Sequence, residues 1–259
     1  MEVKITDNKN EIYGFLSKRP ELQLYTIGDL DDFFWPHTTW YAYYDDATVQ
    51  SIALLYTGMD PPTLLLFDDA DLNYPIELLR SVKPLLPARF NAHLSKGLKD
   101  VFGDANIIKD YGHNYRMILE GRPESVSDNN IKRLELSDLE SIMKLYTISY
   151  PGNWFDKRML ETGKYFGYFI GEKLIGVSGI HVYSAEYRMA ALGNIATHPD
   201  FRGQKIAYKL TSVLCNDLLK SVDIIGLNVK SDNPAAIKCY ENIGFTISST
   251  FDECFILNS

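Results

Sequence analysis

Through the second half of the chain, short alternating or continuous apolar runs give way to apolar residues spaced by three and four, then return. The run 131–136 predicts a strand, and Ser137-Asp-Leu-Glu140 has the order of a capping box opening a helix through Ile142, Leu145 and Tyr146. Strands are predicted at 165–170, 174–183 and 188–197, with Gly171-Glu172-Lys173 as a tight hairpin between the first two. The third stops at His198-Pro199 and re-emerges as a helix led by Arg202-Gly203, with Ile206, Leu210, Val213, Leu214 and Leu218 on one face. A strand at 224–229 follows. Asn233-Pro234 then starts a helix that Gly244 stops, and strands at 245–249 and 251–257 close the pattern.

The first half repeats this order loosely. It reads as a strand at 3–5, a helical pattern from 8 to about 30, strands at 40–44, 52–57 and 64–67, and a helix near 75–82. Asp45-Asp46 turns a hairpin. A strand near 89–94, a short helix near 96–102 and a long strand near 111–119 complete it. The polar stretch Gly121-Arg-Pro-Glu-Ser-Val-Ser-Asp-Asn-Asn130 has no periodicity and reads as a linker, so the domains expected are 1–122 and 131–259.

At 259 residues and 46% hydrophobic, the chain can bury two ordinary cores. A net charge of −8 argues against nucleic acid, since no basic stripe is present to neutralise phosphates. Cys215, Cys239 and Cys254 are odd in number and lack CxxC spacing, which suggests neither a disulfide framework nor a metal site and points to a reducing, cytoplasmic setting. No apolar run reaches the roughly 18 residues of a membrane span, and Met1-Glu-Val-Lys-Ile-Thr lacks signal-peptide order. A cytoplasmic protein with no membrane partner is expected, and a homodimer is compatible with this composition.

Chemistry concentrates in the turn after the 188–197 strand. Pro199 ends the strand, the turn aims backbone N–H groups one way, and the new helix adds unsatisfied donors and its positive dipole end. An anionic cofactor fits there; so does a plain strand-to-helix turn with a solvated arginine. In the first half the corresponding turn reads Asp68-Asp69-Ala-Asp71, whose carboxylates would repel a phosphate.

The Arg202-Gly203 turn, together with Asn233-Pro-Ala-Ala-Ile-Lys-Cys-Tyr240-Glu-Asn-Ile-Gly244-Phe245 downstream, resembles the GNAT superfamily of acetyl-CoA-dependent N-acyltransferases. The resemblance covers about 131–259. It implies an α/β (α+β) fold with two GNAT-like domains in tandem, each a mixed, mostly antiparallel sheet flanked by helices. The C-terminal one would be cofactor-competent and the N-terminal one degenerate. The family signature Gln/Arg-x-x-Gly-x-Gly/Ala here reads Arg202-Gly-Gln-Lys205-Ile-Ala207, with lysine at the middle glycine. The lysine keeps the N–H and adds a cation that could reach a phosphate, yet its side chain could crowd the approach that glycine permits.

The resemblance further implies that Gly203, Gln204, Lys205, Ile206, Ala207 and Tyr208 cradle the diphosphate of acetyl-CoA with Arg202 at the entrance, and that Ile195, Ala196 and Thr197 pair with the pantetheine arm. Asn233 would bond the cofactor, although Asn before Pro is also an ordinary N-cap. Tyr240 would act as general acid toward the departing thiolate; as a residue type it equally suits packing on an amphipathic helix. A thiol pKa of about 8.5 and a tyrosine pKa of about 10 make that proton transfer workable. Leu192-Gly-Asn194-Ile-Ala196 looks like the corresponding strand of ribosomal-protein alanine acetyltransferases, over too few residues to assign a substrate.

The acceptor would be the primary amine of a small molecule or peptide, and it must lose a proton before it attacks. The strand 190–197 has no Asp or Glu; Glu186, His198 and Glu241 remain as candidates, each also readable as a solvated residue, and none is assigned. Tyr150-Pro-Gly-Asn-Trp154-Phe155 lies where the family shapes its acceptor pocket, although Trp154 and Phe155 equally read as a loop anchor, while Phe33-Phe34-Trp35-Pro36-His37 reads as packing. Two function classes follow. One is an N-acetyltransferase using acetyl-CoA; the other, motivated by Lys205 and the missing carboxylate, is a non-catalytic acyl-CoA-binding or regulatory module. A nucleotide-binding protein is a third idea that no GxxxxGK[ST] or GxGxxG motif supports.

Overall fold

The structure is a computed structural model that describes residues 2–68 and 71–258. Asp69, one of the carboxylates expected at the first-half turn, lies outside the described residues. In chain order the first half contributes β1 (Glu2–Thr6), α1 (Lys9–Leu16), α2 (Leu24–Gly28), β2 (Thr38–Asp45), β3 (Thr48–Tyr56), β4 (Thr63–Leu66), α3 (Asn73–Val82), β5 (Arg89–Ser95) and β6 (Ile107–Leu119). The second half contributes β7 (Ile131–Arg133), α4 (Leu139–Ser149), β8 (Phe166–Ile170), β9 (Lys173–Ser184), β10 (Met189–Thr197), α5 (Ile206–Leu218), β11 (Ile224–Lys230), α6 (Pro234–Ile243) and β12 (Phe245–Leu257).

The chain divides into two compact units. The first comprises Met1–Arg116, Lys230–Asp232 and Ile247–Ser259, and the second Met117–Val229 and Asn233–Thr246. The units therefore do not follow the expected split at 122 and 131, because the end of the chain belongs to the first. Among the described residues no helix is long and apolar enough to cross a membrane.

In the first unit β1, β2, β3 and β4 pair in sequence as antiparallel neighbours, β4 and β5 run parallel, and residues 251–257 of β12 pair antiparallel with β5. One face carries a core of Leu64, Leu66, Leu78, Leu79, Phe90 and Phe102, closed by Cys254 and Ile256 from β12. The helical pattern expected from 8 to 30 is broken into α1 and α2. Pro20 lies in the break, where it lacks a helix-donating N–H and disfavours helix before it. The aromatic run at 33–37 packs as expected, with Phe34 buried and Trp35 stacked 6.1 Å from Trp40. Arg116 is wholly buried: it donates to the Leu22 carbonyl, and its guanidinium lies 4.1 Å from the ring of Phe67 and 5.2 Å from that of Tyr25. Burial pulls its pKa down to about 10, so the cation persists at neutral pH.

The second unit contains the strand order β11-β10-β9-β8-β7, with β10 and β11 parallel and the remaining neighbours antiparallel. Several boundaries differ from the sequence reading. The capping box is formed by Glu135 and Asp138, ahead of the Ser137–Glu140 pair expected, and opens a short 3-10 turn before α4. The two strands expected at the C-terminus are one, β12. The expected linker is part of this unit, held along α5 by polar contacts. Asn216 Nδ2 donates to the carbonyls of Pro123 (3.3 Å) and Glu124 (3.2 Å), Lys209 Nζ donates to Asp128 Oδ2 (2.8 Å), and Tyr208 Oη donates to Glu124 Oε2 (3.2 Å). Its lack of periodicity reflected a segment fastened by hydrogen bonds instead of apolar burial.

Candidate active site

The parallel ladder between β10 and β11 runs from Met189 opposite Ile224 to Leu192 opposite Leu227 and ends there. Both strands continue, β10 to Thr197 and β11 to Lys230, so Ala196 and Thr197 keep β9 on one side only and Ile195 lies in the bulge before them. Backbone groups on the parted edge are available to a ligand that adds itself like a strand. In the first unit the equivalent pair stays closed: β4 and β5 pair from Thr63 opposite Asn91 through Leu66 opposite Leu94, the last residue of β4.

Beyond Thr197 the chain makes a 3-10 turn over Pro199–Phe201 and enters α5. Gly203 has φ +78° with open space where a Cβ would stand, and Lys205, the N-cap, has φ +59°. Lys205 thus adopts the left-handed conformation that the glycine of the signature would take without strain. Ile206, Ala207 and Tyr208 are the first helical residues, whose N–H groups have no partner in a preceding turn, and no side chain caps them. Gly203, Gln204 and Lys205 are exposed around that opening. Arg202 turns back to the scaffold, where Nε donates to the Thr197 carbonyl and Nη2 to the Ser149 carbonyl, each at 3.3 Å.

These features fit an anionic, strand-like cofactor arm: an opened strand edge, then a turn into exposed helix N–H groups. Two buried polar atoms beside it, Thr197 Oγ1 and Asn194 Oδ1, have no hydrogen-bond partner among the described residues. Asn233 caps α6 by accepting from the Ala236 N–H at 3.1 Å, the ordinary alternative weighed for it. Tyr240 is half-buried on α6, its ring edge-on to Phe245 at 6.0 Å. Helices α5 and α6 pack together, which brings the cradle helix and the tyrosine helix side by side.

On the strand itself, Asn194 has φ +55° and sits in a bulge between Gly193 and Ala196. Its carbonyl accepts from Tyr146 Oη at 2.7 Å, and its Nδ2 donates to Tyr165 Oη at 3.0 Å; Tyr165 donates in turn to the Ile180 carbonyl at 2.7 Å. Phe155 lies between these tyrosines, 5.3 Å from one ring and 5.6 Å from the other. Burial holds both phenols above the ordinary tyrosine pKa, so they act as proton-bearing donors. Of the aromatic loop, Phe155 packs on these tyrosines, as a loop anchor would, whereas Tyr150 is exposed.

Glu186 is exposed in the turn before β10, at the end where β10 and β11 still pair. His198 follows the strand and accepts from the Asp200 N–H through Nδ1 at 3.3 Å. Glu241 is exposed, 3.6 Å from Lys238. Sequence reasoning missed Tyr146, Tyr165 and His181. The signal was the pair of glycines: a Cβ on Gly179 would meet Tyr165 Cε1 at 2.1 Å, and one on Gly193 would meet His181 Cδ2 at 1.9 Å. Glycine inside a strand marks such a close approach. Among the described residues no group of three or more His, Cys, Asp or Glu side chains could hold a metal ion.

The model of the acetyltransferase (GNAT) family matches residues 132–245. No curated protein matches the chain by sequence. Solved structures share the fold along the whole chain. A Drosophila protein is 12% identical, with 99% of each chain covered and a TM-score of 0.77. A GNAT-family acetyltransferase from Colwellia psychrerythraea is 13% identical over 99% of this chain and 100% of its own, with a TM-score of 0.62. A tandem GNAT protein from the clavulanic acid biosynthesis pathway is 11% identical over 100% and 99%, with a TM-score of 0.59. At these identities the likeness is one of fold. Residues 132–245 thus form a domain of the acetyltransferase (GNAT) family.

Proposed function

We propose that the second unit moves an acetyl group from acetyl-CoA to the primary amine of a small molecule or peptide, by direct attack of the amine on the thioester carbonyl. The observation that carries this reading is the end of the β10–β11 ladder at Leu192 and Leu227, immediately upstream of a turn into an uncapped helix start. Acetyl-CoA supplies the activated acyl group. N–H groups of residues 203–208 hold its diphosphate by charge-assisted hydrogen bonds. The edge at 195–197 holds the pantetheine arm, and a backbone N–H of that strand stabilises the oxyanion that forms on the carbonyl. Tyr240 gives its proton to the departing thiolate. A cytoplasmic setting goes with this reading.

Lys205 favours a second reading, a non-catalytic acyl-CoA-binding module, because its left-handed backbone and long side chain stand at the signature's glycine. Isothermal titration with acetyl-CoA, desulfo-CoA and ATP, followed by turnover assays of Tyr240→Phe, separates the readings. Acyl transfer predicts binding of both CoA ligands but not ATP. It also predicts a roughly 10²–10⁴-fold loss of turnover in Tyr240→Phe, with CoA affinity retained. Unchanged turnover in that variant removes Tyr240 from the chemistry, and failure to bind either CoA ligand removes the function.

A further inference from the structure

We propose that His181 takes the proton from the acceptor's ammonium group, an assignment that rests on the acyl-transfer reading above. Strands β9 and β10 each carry one extra residue, and the two irregularities adjoin. Ala191 pairs with Val182 and Leu192 with Ile180, which leaves His181 over; Gly193 pairs with Gly179 and Ala196 with Val177, which leaves an extra residue at Asn194–Ile195. Bulges re-aim side chains and are frequent beside active sites. Here the first directs the imidazole of His181 onto the α-carbon of Gly193, where an added Cβ would lie 1.9 Å from Cδ2 and 2.3 Å from Nε2. The ring therefore sits one residue before Asn194, on the strand stretch that has just parted from β11.

An imidazole at this place is suited to accept that proton. From β10 it meets Gly193, which carries no titratable side chain. The tyrosines that reach Asn194, Tyr165 from the segment before β8 and Tyr146 from α4, are held protonated by burial and act as donors. No carboxylate stands on 190–197. Histidine changes charge between about pH 5 and 8, whereas an alkylammonium with a pKa of about 10.4 is free base in roughly one molecule in a few thousand at pH 7. A half-buried imidazole that receives the proton removes that limit.

The step balances as follows. One N–H proton of the ammonium passes to His181 as the nitrogen lone pair forms the C–N bond to the thioester carbonyl. The C–S bond breaks, the thiolate takes the Tyr240 proton, and the amide nitrogen sheds its second proton to solvent. His181 releases its proton to solvent, Tyr240 regains one, and the net products are amide, thiol and one proton.

The test compares full-length wild type with His181→Gln and Gly193→Ala between pH 5.5 and 9.5. It uses acetyl-CoA with the best acceptor among phenethylamine, spermidine and a tripeptide bearing a free α-amino group. Wild type should show an acid limb in kcat/KM, where the base is protonated, that ends in a plateau. His181→Gln should lose about 10²-fold at pH 7 and recover about tenfold per pH unit toward the amine's own pKa. Gly193→Ala, which displaces the imidazole without removing it, should lose activity and shift the acid limb. Desulfo-CoA titration of each variant reports a folded cofactor site without requiring turnover. Retention of the wild-type profile by His181→Gln, with CoA binding intact, overturns the role of His181. Absence of CoA binding in wild type itself overturns the acyl-transfer reading instead.

Discussion

Exchanging Lys205 for glycine and, in parallel, for alanine separates backbone strain from side-chain chemistry at the head of α5. Lys205 sits at φ +59° and ψ +19°, where an L side chain crowds the following carbonyl. A residue with a Cβ in that basin costs about 1–2 kcal/mol, and glycine returns about 0.5–1 kcal/mol of this through its freer unfolded chain. Lys205→Gly should therefore be more stable than Lys205→Ala by about 0.5–1 kcal/mol. Both variants lack the ammonium, so its contribution cancels in the difference. With an unfolding slope of about 2 kcal/mol per molar urea, the glycine midpoint should lie about 0.25–0.5 M above the alanine midpoint. Far-UV circular dichroism through a urea series measures this. Coincident midpoints, or alanine ahead, would refute a left-handed Lys205. Titration of the same pair with desulfo-CoA reads the side chain's part: a loss common to both variants reports the missing cation, and a gain confined to glycine reports relieved crowding.

Gly179→Ala should destabilise the second unit by about 1–3 kcal/mol, because the new methyl meets the fully buried Tyr165 ring at 2.1 Å and that ring is held by hydrogen bonds to Ile180 and Asn194; a melting temperature equal to wild type would show that the ring moves freely. Asp217 is pulled upward by burial, but bonds from Lys164, Lys220 and Arg133 prevail and hold its pKa at about 2. Because the folded value lies below the ordinary one, its stabilisation is complete above about pH 4 and fades as pH falls toward about 2. Asp217→Asn should flatten this part of the acid-unfolding curve, and a variant as acid-sensitive as wild type would show that the ion pairs contribute nothing.

The order of strands and helices after residue 131, the stop at Pro199, the start of α5 near Arg202 and the end of α6 at Gly244 were legible because they depend on local chemistry: side-chain periodicity, proline's fixed φ and missing donor, and glycine's tolerance of left-handed backbone. The uncapped start of α5 was legible for the same reason, since a helix start exposes its own N–H groups whatever it packs against. Polar stretches were less legible. The segment 121–130 has no period, and only the positions of Asn216, Lys209 and Tyr208 on α5 show that it is fastened there.

Tertiary structure decided which strands became neighbours and where they stopped being so. Residues 251–257 pair with β5, far away in the chain, although their apolar pattern would serve either unit. Both β4–β5 and β10–β11 read as ordinary apolar strands, yet one ladder stays closed and the other ends at Leu192. His181 reaches Gly193 only because each of two paired strands holds one residue more than its partner there. A pattern of period two describes one strand at a time, whereas a bulge is a difference in count between two strands and exists only once they are paired.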